Sequence, residues 1–355
     1  MSRKNIQLLA TGVVFILLVA ATTIWMLFSP VVNGDQSQKY IIKIKRGMSF
    51  DAIVGILHDK EIIKNDDKLK FTARLFGFRD EIKAGKYDVQ GGVSSYALLN
   101  HLVEGRVANE FITIPEGKNA RQIASILSKK IEIDSTRFMQ LVNDSNYVHK
   151  LGIDAPSLEG FLFPETYNFY WGMTAEDVFS VMVNEFKQNF SDSLQTKVNA
   201  SDMTKLEFVT LASIIEGETM LDSERKTISA VYHNRLKRGM RLQADPTIQY
   251  IIEDGPRRLL KQDLEIDSPY NTYKYPGLPP GPINNPGLAS IKASLCPADV
   301  DYLYFVANGD GSHTFSRTLS EHLKAKAKFD RYRIKVRNMQ RKEGNNGENK
   351  KDKQS

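Results

Sequence analysis

Apolar and uncharged polar residues run from Ile6 to Phe28, 23 positions without a charge. Roughly 20 suffice for a helix to cross a bilayer, so the pattern predicts a transmembrane helix over 6–28. After it come short alternations and helical spacings. Ile41–Leu57 reads IIKIKRGMSFDAIVGIL, and seventy residues on, Phe111–Leu127 reads FITIPEGKNARQIASIL. Aligned without gaps they share Ile42/Ile112, Ile44/Ile114, Gly47/Gly117, Ile53/Ile123, Ile56/Ile126 and Leu57/Leu127. Apolar residues alternate before each Gly, as in a half-buried strand, and take helical spacing after it. Each copy is expected to be a strand-turn-helix unit whose glycine supplies a positive φ. Small βααβ sugar-binding modules of the LysM kind have this order, as do many α+β modules.

Between the copies, residues 84–89 predict a strand and Ser94–Val103 a helix capped by Ser94 or Ser95. From about Ile131 to Val198 the spacing is mostly helical, broken by Ser157–Tyr167, whose aromatics, Gly and Pro read as a packed loop or short strand. Met203–Met220 and Ser223–Leu236 predict two helices, the second capped by Ser223. Asp245-Pro246-Thr247 and the long stretch Ser268–Gly287 read as loops. The tyrosines of the longer one favour function over disorder, because disordered segments are poor in aromatics. Tyr302–Val306 predicts a buried strand, and Gly309–Phe315 a turn leading into another.

Length and charge then change the picture. A chain of 355 residues with one cysteine has room for more than one core and no disulfide framework. The net charge of +6 sits entirely after residue 330, where nine Lys/Arg face three Asp/Glu, so the body is neutral. Residues 331–355 therefore read as a solvated basic tail, and nucleic acid is not expected as a partner. Arg3 and Lys4 precede the apolar run, which by the positive-inside rule leaves residues 1–5 in the cytoplasm and sends the rest outside. Val19-Ala20-Ala21 offers small residues for a cleaved signal, but the apolar run continues to Phe28, longer than a signal core of about 7–15. Cys296 reads as a small core residue in an oxidising compartment.

The sharpest chemical pattern is Leu211-Ala212-Ser213-Ile214-Ile215-Glu216-Gly217-Glu218-Thr219. At about 100° per residue, Glu218 falls on the side of Phe208, Leu211, Ile214 and Ile215, whereas Glu216 shares the mixed side of Val209, Ala212 and Ser213. A carboxyl on an apolar face is desolvated and holds its proton at neutral pH, which suits a general acid. The bland alternatives are an ion pair with Arg225 and a helix-end position. The six histidines show no metal-ligand spacing, and no phosphate loop, dinucleotide fingerprint or nucleophile elbow occurs, so neither metal nor cofactor is expected.

Taken in order, Glu159-Gly160 with Phe163–Tyr167, Ala212–Thr219, Ser223-Glu224-Arg225, Asn234-Arg235-Leu236, Met240–Thr247, Tyr270–Tyr273, Gly277–Ile283 and Gly309–Phe315 resemble the endolytic murein transglycosylase family, the YceG-like proteins. Its usual Lys between the two glutamates is Gly217 in this chain. The resemblance implies an α+β protein: an N-terminal transmembrane helix, a LysM-like domain over 39–130 holding both repeats, and a lysozyme-like catalytic domain over 131–330. It implies a lytic transglycosylase that cuts the β-1,4 bond between N-acetylmuramic acid and N-acetylglucosamine within nascent strands, leaves 1,6-anhydro ends and terminates elongation. Glu218 is the expected catalytic acid and Glu216 a secondary or structural acid. Gln243, Asp245, Thr247, Tyr270, Asn271, Tyr273, Asn285 and His313 are the expected substrate-binding residues, each with a loop-stabilising alternative. The expected partners are glycan strands, the membrane that anchors the chain, and peptidoglycan synthases. Two other readings stand beside this one: a membrane-tethered glycan-binding scaffold without catalysis, and a water-using muramidase with Asp222 or Asp245 as base.

Overall fold

A computed structural model describes residues 3–105, 109–253, 255–331 and 333–334. Most of the expected tail thus lies outside the described residues. The described residues pack as two compact units: those within 1–112, 127–133 and 167–174 form the first, and those within 113–126, 134–166 and 175–355 the second.

In the first unit, α1 (Arg3–Phe28) is long and apolar enough to cross a membrane, and of its residues Leu27 is buried. β1 (Lys39–Ile44), α2 (Phe50–Asp59), α3 (Asp66–Phe76) and β2 (Gly85–Gln90) follow in βααβ order, and α4 (Ser95–Glu104) closes the module. The strands pair antiparallel with Ile42 opposite Tyr87. Ser49, Asn65 and Ser94 cap α2, α3 and α4 by accepting backbone N–H groups, each worth about 1 kcal/mol. Ile42, Ile44, Leu57, Leu69, Tyr87, Leu98 and Leu102 form one core, where each buried aliphatic contributes roughly 1.5–3 kcal/mol.

The second copy begins the same way, with β3 (Asn109–Thr113) and α5 (Ala120–Ile131), and its Gly117 has φ +72° against +78° at Gly47. Its partners differ. β3 pairs with β4 (Thr166–Tyr170). Residues 113–126 pack within the second unit rather than together with the first copy, so the compact units do not divide at residue 130. The physical reason is a set of hydrogen bonds from this turn to residues of that unit: Gly117 N donates to Asn285 O at 3.0 Å, and Ala120 N to the Glu159 carboxylate at 3.0 Å.

The second unit is mostly helical: α6 (Ser135–Val142), α7 (Ser145–Lys150), α8 (Ala175–Asn189), α9 (Asp192–Asn199), α10 (Lys205–Glu218), α11 (Asp222–Lys237), α12 (Asp245–Ile251) and α13 (Leu288–Leu295). α10 starts in a reciprocal capping box between Thr204 and Glu207 and is buried on every side from Phe208 to Ile215, packed on α11, α12 and α13. Three local expectations change. Asp245-Pro246-Thr247 opens α12 instead of a loop, with Pro in the first turn where its missing N–H costs nothing. Ser223 lies inside α11, which starts one residue earlier without a side-chain cap. The strand expected to be buried, β5 (Tyr304–Ala307), is half-exposed and forms a hairpin with β6 (His313–Ser316). Ser268–Gly287 has no regular element yet is tightly held, because the Asn271 amide donates to Leu264 O and Ile266 O, and Ser213 Oγ accepts from Ile283 N.

Candidate active site

α10 ends in two carboxylates with different surroundings. Glu216 faces Arg225, whose Nη1 lies 3.2 Å from its Oε2, and accepts a further hydrogen bond from Gly287 N at 3.1 Å. Arg225 is itself buried, and its Nε donates to Asp222 at 2.8 Å. The ion pair expected as an alternative for Glu218 is therefore made by Glu216. α10 is buried all round from Phe208 to Ile215 and only partly covered in its last turn, where the acids sit; what the neighbouring helices present to each acid separates the two.

Glu218 has no cation in hydrogen-bond reach among the described residues. Its Oε1 accepts from the Tyr232 hydroxyl at 2.5 Å. Burial pushes its carboxyl up to about 7; the Tyr232 hydrogen bond opposes the rise, the nearby Asp245 charge adds to it, and Arg235 pulls it back. Burial, together with the Glu218 charge, holds the Tyr232 phenol well above its ordinary range, so it remains a donor. Tyr232 is fixed edge-on against Phe305, which in turn meets His313 edge-on. Glu224 holds His313 from the other side, accepting its backbone N at 2.9 Å with Nδ1 at 2.7 Å.

A cavity of about 500 Å³ opens on Glu218. α12 contributes Asp245, Pro246, Gln249 and Tyr250; the turn and first residues of α5 contribute Lys118, Asn119, Arg121 and Gln122; Asn284 completes the wall. Gly217 is needed there, because a Cβ on it would stand 2.6 Å from Pro246 Cβ. A larger cavity, about 940 Å³ beside Phe186 and Lys205, shares no residue with this one.

The expected binding residues divide by burial. Asp245 lines the cavity and accepts from the Tyr273 hydroxyl. Tyr270 sits 5.0 Å from Tyr250, ring to ring, just behind the lining. Gln243 is exposed at φ +49° and donates its N to Thr272 O. Thr247, Asn271 and Asn285 are buried and serve the scaffold. Thr247 Oγ1 meets Thr272 Oγ1 at 2.9 Å, and Asn285 Oδ1 accepts from Gly160 N and Leu162 N, each at 2.9 Å. His313 does not line the cavity; it meets Phe305, which meets Tyr232, the hydrogen-bond donor to Glu218.

Sequence reasoning gave no role to Glu159. It is buried, and burial pushes its carboxyl up to about 8 against the opposing hydrogen bonds from Ala120 N and Asn285. Lys118, Asn119, Arg121 and Gln122 were also missed, although the repeat had marked their turn; the signal was Gly117.

The sequence model of the YceG-like family matches residues 42–328. This chain belongs to the YceG-like family. A Bacillus subtilis protein named endolytic murein transglycosylase is 34% identical over 314 residues, covering 84% of this chain and 87% of the relative. A Streptococcus pneumoniae protein of the same name is 30% identical over 330 residues, covering 82% of this chain and 60% of its own length. The 2.6 Å crystal structure of a YceG-like protein from Listeria monocytogenes superposes with a TM-score of 0.56 at 34% identity, covering 81% of this chain and 99% of that one.

Proposed function

We propose that this chain is an endolytic murein transglycosylase, anchored in the membrane by α1, with Glu218 as its acid and then its base. The observation that carries the assignment to Glu218 is its pairing state: it is a half-buried side chain on a cavity whose carboxyl is pushed up to about 7, while Glu216 is ion-paired with Arg225. The relatives' shared name supports the reaction class.

In the first step protonated Glu218 donates to the oxygen linking N-acetylmuramic acid to N-acetylglucosamine, and the C1–O bond breaks. In the second, its carboxylate takes the proton of the sugar's own C6 hydroxyl as that oxygen bonds to C1, giving the 1,6-anhydro end and restoring the acid. No water is consumed. Tyr232 donates to the carboxylate between the steps and keeps it from becoming too strong a base. The lysozyme-like character of the second unit and the LysM-like character of the β1-α2-α3-β2 module belong to this same reading, supported by a helix-end acid and by the βααβ order. So does the orientation, with residues 1–5 cytoplasmic and the cavity outside, where synthases deliver new strands.

Asp245 on the same cavity favours one second reading, a muramidase in which it activates water. Mass spectrometry of products from purified peptidoglycan, using the full chain in detergent beside Glu218→Gln, separates the possibilities. Anhydro products, 18 Da lighter than hydrolysed fragments and lost in the variant, are expected. Reducing ends would transfer the assignment to a muramidase; an undiminished product from the variant would remove Glu218 from the chemistry.

A further inference from the structure

Within the first unit, the last turn of α1 is docked on α3 and α4. Lys68 of α3, a buried lysine, places its Nζ 3.7 Å over the Trp25 ring and donates to Ser29 Oγ at 2.7 Å. It supplies the cation that α1 itself lacks at its C-terminal end, where the helix dipole is negative. Phe28, Phe76 and Phe78 gather around Tyr96, with centroids 5.0–6.1 Å from its ring.

The same face of α3 carries apolar side chains that the described residues of the unit leave partly exposed. Phe71 and Leu75 lie within about 60° of Lys68 around the helix, and they are 37% and 53% exposed, with Phe76 at 44%. In an 11-residue helix whose next stripe carries Lys70 and Arg74, this is a costly arrangement in water. It is continuous with Trp25 and Phe28 of α1, themselves 58% and 59% exposed. Aromatic rings beside lysine and arginine at the end of an apolar helix are what the boundary between headgroups and acyl chains accommodates.

We propose that α3 and the last turn of α1 form one interfacial belt, and that its partner is the lipid surface, with Phe71 and Leu75 seated in the headgroup-acyl boundary. The βααβ module then lies on the bilayer instead of hanging from it by a free linker. This rests on reading α1 as a membrane anchor. The two are tested together in the full chain carrying Cys296→Ser and a single fluorophore at Leu75→Cys, Phe71→Cys, Asp88→Cys or Ile16→Cys. Each is reconstituted in vesicles of phosphatidylethanolamine and phosphatidylglycerol containing nitroxide lipids labelled near the headgroup or deep in the chain.

Labels at 75 and 71 are expected to be quenched by the shallow nitroxide about threefold more than the label at 88, while the label at 16 responds to the deep one. Quenching at 16 with 75 and 71 no different from 88 would overturn the belt and leave the anchor standing. No deep quenching at 16 would end the anchor reading and the belt with it. Shielding of 75 from lipid and aqueous quenchers alike, growing with protein density, would assign the stripe to a second copy and overturn the proposal.

Discussion

The two corners at the end of α10 hold the same residue type two positions apart and finish in opposite states. At the Glu216 corner, α11 presents Arg225 and the chain offers Gly287 N; at the Glu218 corner, α11 presents Tyr232 and the neighbouring acid is Asp245. Arg225 and Tyr232 are seven residues apart, about two turns, so one face of α11 serves both. The contrast teaches that the fate of a buried acid is set by the side chain that meets it. A guanidinium makes a structural ion pair, whereas a phenol leaves a proton free to move.

The largest expected effect tests that division directly. Glu218→Gln keeps the shape and an acceptor for Tyr232 but removes the proton; activity should fall about 10³-fold, roughly 4 kcal/mol of barrier, with thermal stability preserved. Anhydro product counted by mass spectrometry reads it. In the unaltered protein the first step needs the protonated form, so its rate should decline as pH rises through about 7. A rate still climbing well above that pH would mean that Glu218 acts only as a base.

Glu159 sharpens the comparison, because like Glu218 it has no ion-pairing cation among the described residues, but it is more fully buried and does not line the cavity. The native carboxyl keeps its proton to about 8, against an ordinary value of 4.5 once unfolded. Between those values the native state binds more protons than the unfolded one, so stability is fully present below 4.5 and falls as pH rises to about 8. The loss is on the order of 5 kcal/mol, and Glu159→Gln should remove it, making urea midpoints less pH-dependent across that window and leaving the share that Glu218 contributes below about 7. An unchanged slope would mean that Glu159 is ionised in the fold. Breaking the other corner costs stability in a different way. Glu216→Gln leaves Arg225 with the surface Asp222 as its main partner and should cost about 2–3 kcal/mol by urea titration while the remaining folded enzyme stays active. A loss of turnover at full stability would exchange the roles of the two acids.

Local signals carried much of this. The two glycine turns, the Ser94 cap of α4 and α10 with both acids follow from periodicity and residue type alone, whereas the cap expected at Ser223 does not form. The sorting of Glu216 from Glu218 rested on helical phase, but α10 is buried on every side from Phe208 to Ile215, and its two acids are both half-buried, so phase had little to distinguish. Thr247, Asn271 and Asn285 share composition with sugar-binding loops; Thr247 and Asn271 satisfy backbone carbonyls three to seven residues away, Ala244 for the first and Leu264 and Ile266 for the second, whereas the partners of Asn285, such as Gly160, lie far away in sequence. The same non-locality hid Arg121 and Gln122, which reach the cavity only because Asn285 and Glu159 tie their turn down.

The finest test lies between the two acids. Gly217→Ala inserts a Cβ 2.6 Å from Pro246 Cβ and 2.9 Å from its Cγ, closer than carbons pack, and both atoms belong to a rigid ring at the start of α12. Relief requires α12 to back away, taking Asp245 with it. Replacing a helical Gly by Ala gains up to about 1 kcal/mol in propensity, whereas overpacking costs about 1–3 kcal/mol. The net should be a loss near 1 kcal/mol, smaller than either glutamate effect, accompanied by a few-fold rise in KM as the cavity wall shifts. A variant that gained stability with KM unchanged would show that α12 yields freely and that the close approach at Gly217 does not set the distance between Asp245 and Glu218.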